Sequence, residues 1–439
     1  MAKVQNRLSR DLGLGGAIMM GLGSMIGTGV FVSIGIAAGV TGPAVILAIV
    51  LAALVATCNA LSSAQLAASH PVSGGTYEYG YHYLHPRLGF TAGWMFLCAK
   101  SASAATAALG FAGYALPLVG GQPEAIPYVG VGAVALFTLL VLGGIRRSSW
   151  VNITIVSITL VALCGFILFG APRALAAGNP NWVPFFDPRD APGASAFLYS
   201  AALMFVAFTG YGRIATLGEE VRQPRRTIPR AIIVTLMVTA MLYIGVAAVV
   251  VGTVGTSVFA DAPERQATTL HIAANAMGSP ALALLVGIGA ITAMLGVLLN
   301  LILGLSRVVL AMGRRGDIPP LFGRVSAEGA EPAPAILVVG ALVAGLAAIG
   351  SVETVWAFSA FTVLIYYAIT NLAALRLPDE QRLYPKWVPL IGLAACTFLA
   401  FWVPVGIWVL GLGLIAAGLA FKAGAPARWR SKGDKIDEN

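Results

Sequence analysis

Seven residues near the start of the chain could hold a charged ligand with their backbone atoms alone. They read Gly23-Ser24-Met25-Ile26-Gly27-Thr28-Gly29 and lie inside an apolar segment that is long enough to cross a bilayer. Each glycine costs a helix interior about 1 kcal/mol, and backbone that leaves a helix in hydrocarbon needs new hydrogen-bond partners. Broken helices whose free amides and carbonyls hold a ligand near the bilayer midplane are typical of secondary transporters. We therefore predict an unwound membrane helix and a substrate site here.

A second glycine-interrupted segment reads Phe205-Val206-Ala207-Phe208-Thr209-Gly210-Tyr211-Gly212-Arg213. It lies in the sixth apolar span of the chain, whereas the first segment lies in the first span, so the two helices run in opposite directions. Two broken helices placed in this way are what an inverted five-plus-five repeat predicts. The alternative is that the glycines only let helices pack closely. Their matching positions favour unwound segments in both spans.

One lysine stands where hydrocarbon is expected. Lys100 follows Gly89, near the start of the third span, by eleven residues, which is about 16 Å of helix. A charge at this depth is costly and should face a cavity or a partner. We predict that Lys100 couples transport to protons. Its other candidate roles are contact with an anionic substrate and simple burial among small neighbours.

The composition excludes an ordinary soluble enzyme. Of 439 residues, 58% are hydrophobic and 10% are charged, whereas soluble domains carry about 25% charged residues. The net charge of +9 would suggest nucleic acid in a soluble protein, but here the basic residues lie in loops between apolar spans, as the positive-inside rule describes. The four cysteines show no metal-ligand spacing. We expect no enzyme activity, no cofactor, no metal and no nucleic-acid partner.

Apolar stretches of sufficient length predict an all-α integral membrane protein with twelve transmembrane helices. The loops that carry most Lys and Arg alternate so that both termini face the cytoplasm. We expect the spans at residues 14–38, 43–68, 89–118, 127–144, 150–170, 195–217, 228–252, 281–312, 333–350, 353–375, 387–403 and 405–421. The predicted divisions are a cytoplasmic N-terminus (1–13), a first repeat (14–170), an extracellular loop (171–194), a second repeat (195–375), two peripheral spans (387–421) and a cytoplasmic tail (422–439).

Several motifs resemble the amino acid–polyamine–organocation (APC) superfamily of transporters. The resemblance runs from about residue 7 to residue 376, with the motifs in the same order and at similar spacing. The motifs are Ile26-Gly27-Thr28-Gly29-Val30-Phe31, Pro71-Val72-Ser73-Gly74-Gly75-Thr76-Tyr77, Gly89-Phe90 with Gly93-Trp94, Glu219-Glu220-Val221 with Pro224, and Gly316-Asp317-Ile318-Pro319.

The resemblance implies the LeuT-type fold, in which ten core helices form two inverted repeats beside two peripheral helices. It also implies alternating-access transport of amino acids or related amines, driven by protons, sodium or exchange. Carried over by motif, the substrate carboxylate falls on Met25, Ile26, Gly27, Thr28 and Gly29, and the amine on carbonyls near Gly23, Ser24 and Phe205 to Phe208. The remaining predicted site residues are Val206, Thr209, Gly210, Tyr211 and Arg213.

Two departures from the superfamily pattern concern the driving ion. Several relatives carry a lysine midway along span five, where this chain has Thr159. Sodium-coupled relatives carry hydroxyls in span eight, where the stretch from Ala293 to Val297 has no side-chain oxygen. A hard cation needs several oxygen ligands. Sodium is therefore not expected, and Thr159 stays beside Lys100 as a coupling candidate.

Arg213 is a third departure, because most relatives carry an uncharged residue there. Arginine keeps its proton, so Arg213 either binds the substrate carboxylate or pairs with Glu219 or Glu220. Spans one, three and eight contain no Asp or Glu, so a cationic substrate would meet repulsion from Lys100 and Arg213. We expect neutral or acidic amino acids, covered in the site by an aromatic ring of the second segment, Phe205 or Phe208.

The expected protein is an amino acid transporter of a bacterial plasma (inner) membrane, working as a proton symporter or as an exchanger. Its partners are then the amino acid substrate, the lipid bilayer and protons. Two alternatives stay open. One is an amino-acid sensor of the same fold that does not transport, and the other is a transporter of amines or polyamines.

Overall fold

The chain is almost entirely helical where it is described. The computed structural model describes residues 12–70, 74–144, 149–176, 178, 180–186, 193–215, 221–260, 268–325 and 331–424. These ranges contain no β-strand, and an isolated parallel bridge joins Leu12 to Val221. The Arg222 N–H donates to the Leu12 carbonyl over 3.0 Å. The residues before the first helix therefore lie beside those that follow the sixth predicted span.

The described α-helices are numbered here in chain order. The first half contains α1 (Leu14–Met25), α2 (Thr28–Phe31), α3 (Ser33–Thr41), α4 (Val45–Ser69), α5 (Thr76–Tyr83), α6 (Pro86–Leu118), α7 (Ile126–Leu142), α8 (Ser149–Ala176), α9 (Gly193–Phe208) and α10 (Gly212–Ala215). The second half contains α11 (Pro224–Val254), α12 (Ser257–Ala260), α13 (Thr269–Ala276), α14 (Pro280–Arg315), α15 (Ala333–Ala348), α16 (Val352–Leu375), α17 (Trp387–Ala400) and α18 (Val405–Gly424). Short 3₁₀ helices occur at Gly42–Ala44, Pro123–Ala125, Pro180–Trp182, Thr209–Tyr211, Pro320–Gly323 and Asp379–Gln381.

Nine helical stretches of the described residues are long and apolar enough to cross a membrane. One of them runs from Thr28 to Ser69 and contains two predicted spans, which separate at Gly42, where φ is 70°, and Pro43. Three shorter apolar helices, α1, α15 and α17, accompany the nine. The described residues are therefore all-helical, with apolar helices of the kind that integral membrane proteins contain. The count of twelve crossings and the inverted repeat stay predictions.

Several helix boundaries differ by a few residues from those expected, for example in the first, fifth and twelfth predicted spans. The first predicted span, residues 14–38, is divided into α1, α2 and α3 and continues to Thr41. α8 continues to Ala176, so the predicted extracellular loop of residues 171–194 begins inside a helix, and α18 continues to Gly424, past the predicted start of the tail. Hydropathy locates the apolar centre of a helix, whereas its end depends on backbone hydrogen bonding, which explains differences of this size.

Small residues allow the central helices to pack closely. α6 packs against both α14 and α16. A Cβ added at Gly110 of α6 would lie 2.7 Å from the sulfur of Met294 in α14, so the glycine permits this approach. Ser103 of α6 and Ser359 of α16 share a hydrogen bond of 2.9 Å, and Ser359 Oγ donates to the Ala99 carbonyl over 3.0 Å. α6, which carries Lys100, is thus held from two sides.

A buried carboxylate fastens one end of the bundle. Asp317, just after α14, accepts hydrogen bonds from the hydroxyls of Tyr77 at 2.6 Å and Tyr81 at 2.7 Å. Its other oxygen pairs with the Lys422 ammonium at 3.1 Å. Burial and the Asp317 charge raise the pKa of the Tyr77 and Tyr81 phenols well above the usual range, so both remain hydrogen-bond donors. These contacts join α5, α14 and α18.

Candidate functional site

The first predicted break is an unwound turn. α1 ends at Met25, Ile26 adopts extended backbone with φ −81° and ψ 101°, and Gly27 follows with φ −175° and ψ −122° before α2 begins at Thr28. Among the described residues, no carbonyl accepts the N–H groups of Gly27, Thr28 or Gly29. Free N–H groups at the start of a helical segment favour an anion.

The second predicted break is tighter than expected. α9 runs to Phe208, a 3₁₀ turn covers Thr209–Tyr211, and α10 begins at Gly212. The glycines predicted an unwound, extended segment here. The chain forms a 3₁₀ turn instead. Thr209 Oγ1 donates to the Val206 carbonyl over 2.8 Å, which helps the helix to tighten by satisfying a carbonyl at the end of α9. Short 3₁₀ stretches inside helices often mark functional hinges.

The two breaks touch each other through their glycines. A Cβ added at Gly210 would lie 2.4 Å from the Ser24 carbonyl oxygen and 2.6 Å from the Met25 nitrogen. A Cβ added at Gly29 would lie 2.7 Å from the Ala207 Cβ. Because backbone stands at the first of these contacts, only glycine fits Gly210 without a shift of the chain. Gly29 and Gly210 thus allow the close approach of the two breaks.

Tyr243 of α11 braces both breaks. Its hydroxyl lies 2.7 Å from the Met25 carbonyl oxygen and 3.2 Å from that of Ala207. Its ring packs against Phe208, with ring centroids 5.2 Å apart. The sequence did not point to Tyr243, because an aromatic residue in an apolar span looks the same whether it packs or donates a hydrogen bond.

Lys100 reaches the second break. It lies near the middle of α6, is half-buried, and its Nζ donates to Thr209 Oγ1 over 2.9 Å. The Thr209 hydroxyl donates its own hydrogen bond to the Val206 carbonyl. The ammonium is therefore the donor in the contact with Thr209.

A cavity of about 50 Å³ lies between the two breaks and α6. Eight of the predicted residues line it, together with five others that are described below. The predicted ones are Ser24, Met25, Thr28, Gly29, Lys100, Val206, Thr209 and Gly210.

Three other predicted residues of the first segment are outside the described lining of the cavity and pack against neighbouring residues. A Cβ at Gly23 would lie 2.5 Å from Asn152 Oδ1, and one at Gly27 would lie 2.7 Å from a methyl group of Val297. Ile26 is buried in the hydrophobic core. These close contacts explain why positions 23 and 27 are glycine. The backbone groups of these residues remain candidates for substrate contact.

The aromatic residues of the second segment do not belong to the described lining of the cavity. Phe205 meets Tyr367 edge-on at 5.8 Å between ring centroids, and Tyr211 lies 5.3 Å from the same ring. Tyr367 in turn donates to the Thr209 carbonyl over 3.2 Å. The aromatic residue that lines the cavity is Trp356, rather than Phe205 or Phe208.

Five lining residues were not among the predicted ones. Spacing could have indicated Ser103, which stands three residues after Lys100 on the same face of α6. Trp356 donates from its indole N–H to the Leu203 carbonyl over 3.0 Å, and no sequence pattern distinguishes it from a packing tryptophan. The five are Ser103, Ala207, Val297, Leu301 and Trp356.

Thr159 and Arg213 lie elsewhere. Thr159 is buried in α8, where its hydroxyl donates to the Ile155 carbonyl over 2.8 Å. Arg213 is exposed on α10 and does not belong to the described lining of the cavity. Its predicted partners Glu219 and Glu220 lie outside the described residues, so the choice between its two predicted roles stays open.

Glu353 is the acidic residue of the tenth predicted span and stands at its first position. It stands in the first turn of α16 and accepts a hydrogen bond from the Tyr199 hydroxyl at 3.4 Å. It is not part of the described lining of the cavity. Its charge therefore does not compensate Lys100 by direct contact.

The sequence matches a known family over nearly its whole length. The family described as amino acid permease matches residues 16–433. This chain belongs to the amino acid permease family. The family is part of the APC superfamily, as the motifs predicted. The permease is thus a membrane transport protein.

Three relatives illustrate the range of this permease's similarity. An uncharacterized transporter of Mycobacterium tuberculosis is 41% identical over 436 residues, which cover 98% of this chain and 96% of the relative. The branched-chain amino acid permease of Bacillus subtilis is 29% identical over 94% of this chain and 93% of its own. The chloroplastic cationic amino acid transporter 9 of Arabidopsis thaliana is 33% identical over 72% of this chain and 58% of its own.

Proposed function

We propose that this permease is a secondary active transporter that carries amino acids across a bacterial plasma membrane by alternating access. The observation that carries the proposal is the cavity between the two helix breaks, which is lined on one side by Thr28 and Gly29, whose N–H groups no described carbonyl accepts. Backbone of this kind is tolerated in a membrane where it lines a cavity, and such sites hold the substrate of transporters with broken helices.

The proposed orientation of the substrate follows from the partial charges of the backbone. The α-carboxylate would bind the N–H groups of Thr28 and Gly29 at the restart of the helix, and the ammonium group would bind carbonyls of Ser24 and of the end of α9. The Met25 carbonyl already accepts a hydrogen bond from the Tyr243 hydroxyl, and the Val206 carbonyl accepts one from the Thr209 hydroxyl. The Ser24 carbonyl is therefore the first candidate for the ammonium group.

We favour neutral or acidic amino acids over cationic ones. The names of the relatives include a branched-chain permease and a cationic amino acid transporter, so similarity alone does not select a class. Within the cavity of this chain, the described lining carries Lys100 and no Asp or Glu. A cationic side chain placed beside Lys100 would meet like-charge repulsion in a poorly hydrated site.

The remaining elements of the proposal concern architecture and coupling. We propose twelve crossings, an inverted repeat formed by residues 14–170 and 195–375, and both termini in the cytoplasm, as the charge distribution of the loops favours. Protons or exchange would drive transport, with Lys100 as the coupling residue. Thr159 is a weaker candidate, because its hydroxyl bonds within its own helix.

The experiment is a thermal-shift screen of the purified protein against neutral, acidic and basic amino acids and polyamines, followed by uptake into sealed vesicles. A ligand at about 100 times its dissociation constant adds about 2.7 kcal/mol of stability. Stabilisation by neutral or acidic amino acids together with uptake is the expected result. Stabilisation without uptake would favour the sensor, and stabilisation by polyamines alone would favour the amine transporter.

A further inference from the structure

Lys100 is a cation whose described contacts do not balance its charge. A lysine ammonium group has three N–H donors, and the described partner of Lys100 is the neutral hydroxyl of Thr209 at 2.9 Å. Because this hydroxyl donates its own hydrogen bond to the Val206 carbonyl, it accepts a hydrogen bond from one of the three N–H groups. The other two N–H groups of the ammonium have no acceptor among the described residues.

Asp317 and Glu353 have partners other than Lys100. No Asp or Glu occurs in the described lining of the cavity. Asp317 holds two phenols and Lys422, and Glu353 accepts from Tyr199. A charge within a membrane normally pairs with a partner or faces a water-filled path. Lys100 is therefore set up for an anion that enters the cavity from outside the protein.

A second observation in the same cavity also indicates a ligand. Thr28 is 4% exposed, lines the cavity, and its hydroxyl has no hydrogen-bond partner among the described residues. Buried hydroxyl groups are rarely left in this state unless water or a ligand completes them. Thr28 and Lys100 belong to different helices, so a ligand that satisfies both would bridge α2 and α6.

We propose that Lys100 pairs with a second carboxylate on the substrate side chain, so that the preferred substrates are amino acids with anionic side chains. This inference rests on the proposed function, because it assumes that the backbone of the first break holds the α-carboxylate. The apolar part of the lining, Val297, Leu301 and Trp356, would then contact the methylene groups of the substrate. A cavity of about 50 Å³ is small, so the flexible Lys100 side chain must move as the substrate enters.

The pair would also link the substrate to protons. Only the protonated amine of Lys100 can form an ion pair with the second carboxylate. Binding of a proton and binding of an anionic substrate would therefore favour each other, and this coupling is reciprocal. An amino acid without a second carboxylate would bind without that linkage.

The test compares isosteric acids and amides on the purified full-length protein. Binding of L-aspartate against L-asparagine, and of L-glutamate against L-glutamine, is measured by thermal shift and by vesicle uptake. We expect the wild type to bind each acid at least about tenfold more tightly than its amide, the scale of one charge-assisted hydrogen bond. In Lys100→Met the ratio between acid and amide binding should fall to about one, and Lys100→Arg should keep the preference.

The matched control is Lys386→Met. Lys386 lies in a loop, its side chain is 61% exposed, and it pairs with Asp379 at 3.0 Å. This variant removes the same charge and should leave the ratio between acid and amide unchanged. The preference of the wild type is measured without any substitution, so a Lys100 variant that does not fold leaves the test in place.

Three results would overturn the inference. A wild type that binds the amides as well as the acids would remove it while leaving amino acid transport intact, and so would a Lys100→Met variant that keeps the wild-type ratio. Amide binding that requires chloride in the wild type, but not in Lys100→Met, would assign Lys100 to an inorganic anion. If no amino acid binds at all, the proposed function fails as well.

Discussion

Lys100 Nζ donates to Thr209 Oγ1 over 2.9 Å, and this contact connects the centre of α6 to the 3₁₀ turn between α9 and α10. Thr209 also donates to Val206, so one hydroxyl satisfies a carbonyl at the end of α9 and accepts a hydrogen bond from the Lys100 ammonium. Any movement of the turn would change the environment of the Lys100 charge, which gives a direct physical connection between helix geometry and charge state.

Replacing Thr209 by Val should destabilise the protein. The change keeps the shape of the side chain and removes the acceptor of Lys100, and hydrogen bonds to charged groups contribute about 1.5–3 kcal/mol. We expect a lower melting temperature in detergent. The control is Thr106→Val in α6, whose buried hydroxyl bonds to the Ala102 carbonyl of its own helix. Equal losses in both variants would contradict a special role for the Thr209 contact.

Replacing Gly210 by Ala should separate the two helix breaks. The new Cβ would stand 2.4 Å from the Ser24 carbonyl oxygen, and overpacking of this kind costs about 1–3 kcal/mol. We expect uptake to be lost and the melting temperature to fall. Gly304→Ala in α14 is the control, since its Cβ would meet nothing within 4 Å. Normal uptake by Gly210→Ala would mean that the close contact of the breaks is dispensable.

Replacing Tyr243 by Phe should loosen the first break. The variant keeps the ring packing on Phe208 but removes the hydroxyl from the Met25 carbonyl, and a buried carbonyl left unsatisfied costs about 1–3 kcal/mol. We expect lower stability and weaker substrate binding, measured by thermal shift with and without ligand. Tyr128→Phe, at a site that is 80% exposed, should behave as wild type. Unchanged ligand binding in Tyr243→Phe would limit Tyr243 to a packing role.

The His70 and His82 rings predict a pH dependence of stability. The rings stack with centroids 4.3 Å apart, and burial together with the His82 charge lowers the pKa of His70. Because the unfolded chain then binds more protons than the folded one, this contribution is present above about pH 6.5 and lost as the pH falls below it. The melting temperature of the wild type should therefore drop on acidification.

His70→Gln should flatten this dependence, since it removes the titrating group with the lowered pKa. His271→Gln on α13 is a control for the loss of a histidine. Melting curves of the three proteins across the range from about pH 7.5 to about pH 5 provide the measurement. Parallel acid profiles for wild type and His70→Gln would show that other groups cause the drop.

The sequence was most informative where hydropathy and glycine position carry the information. Helix existence, the break near Gly27 and the exceptional position of Lys100 all follow from one-dimensional patterns, because hydrocarbon restricts both backbone and charge. The two breaks differ in form, however, since a glycine permits an extended turn and a close approach equally well. The sequence could not decide that Gly210 serves contact with Ser24.

The sequence also could not predict the direction in which side chains point. Phe208 and Trp356 are both large rings near the expected site, and only the orientation of their helices places Trp356 in the lining of the cavity. Tyr243 stands far from the first break in sequence and meets it through packing of α11 against α1. Pairs of this kind depend on tertiary geometry, which no local pattern contains.

The Asp317 contact has a genetic consequence. Lys422 lies in the last turn of α18, yet its ammonium contacts a carboxylate at the end of α14. A frameshift or premature stop codon upstream of position 422 would therefore do more than shorten the last helix. It would remove the cation from a buried carboxylate in another part of the protein, so mutations close to the end of this reading frame should behave like lesions in its middle.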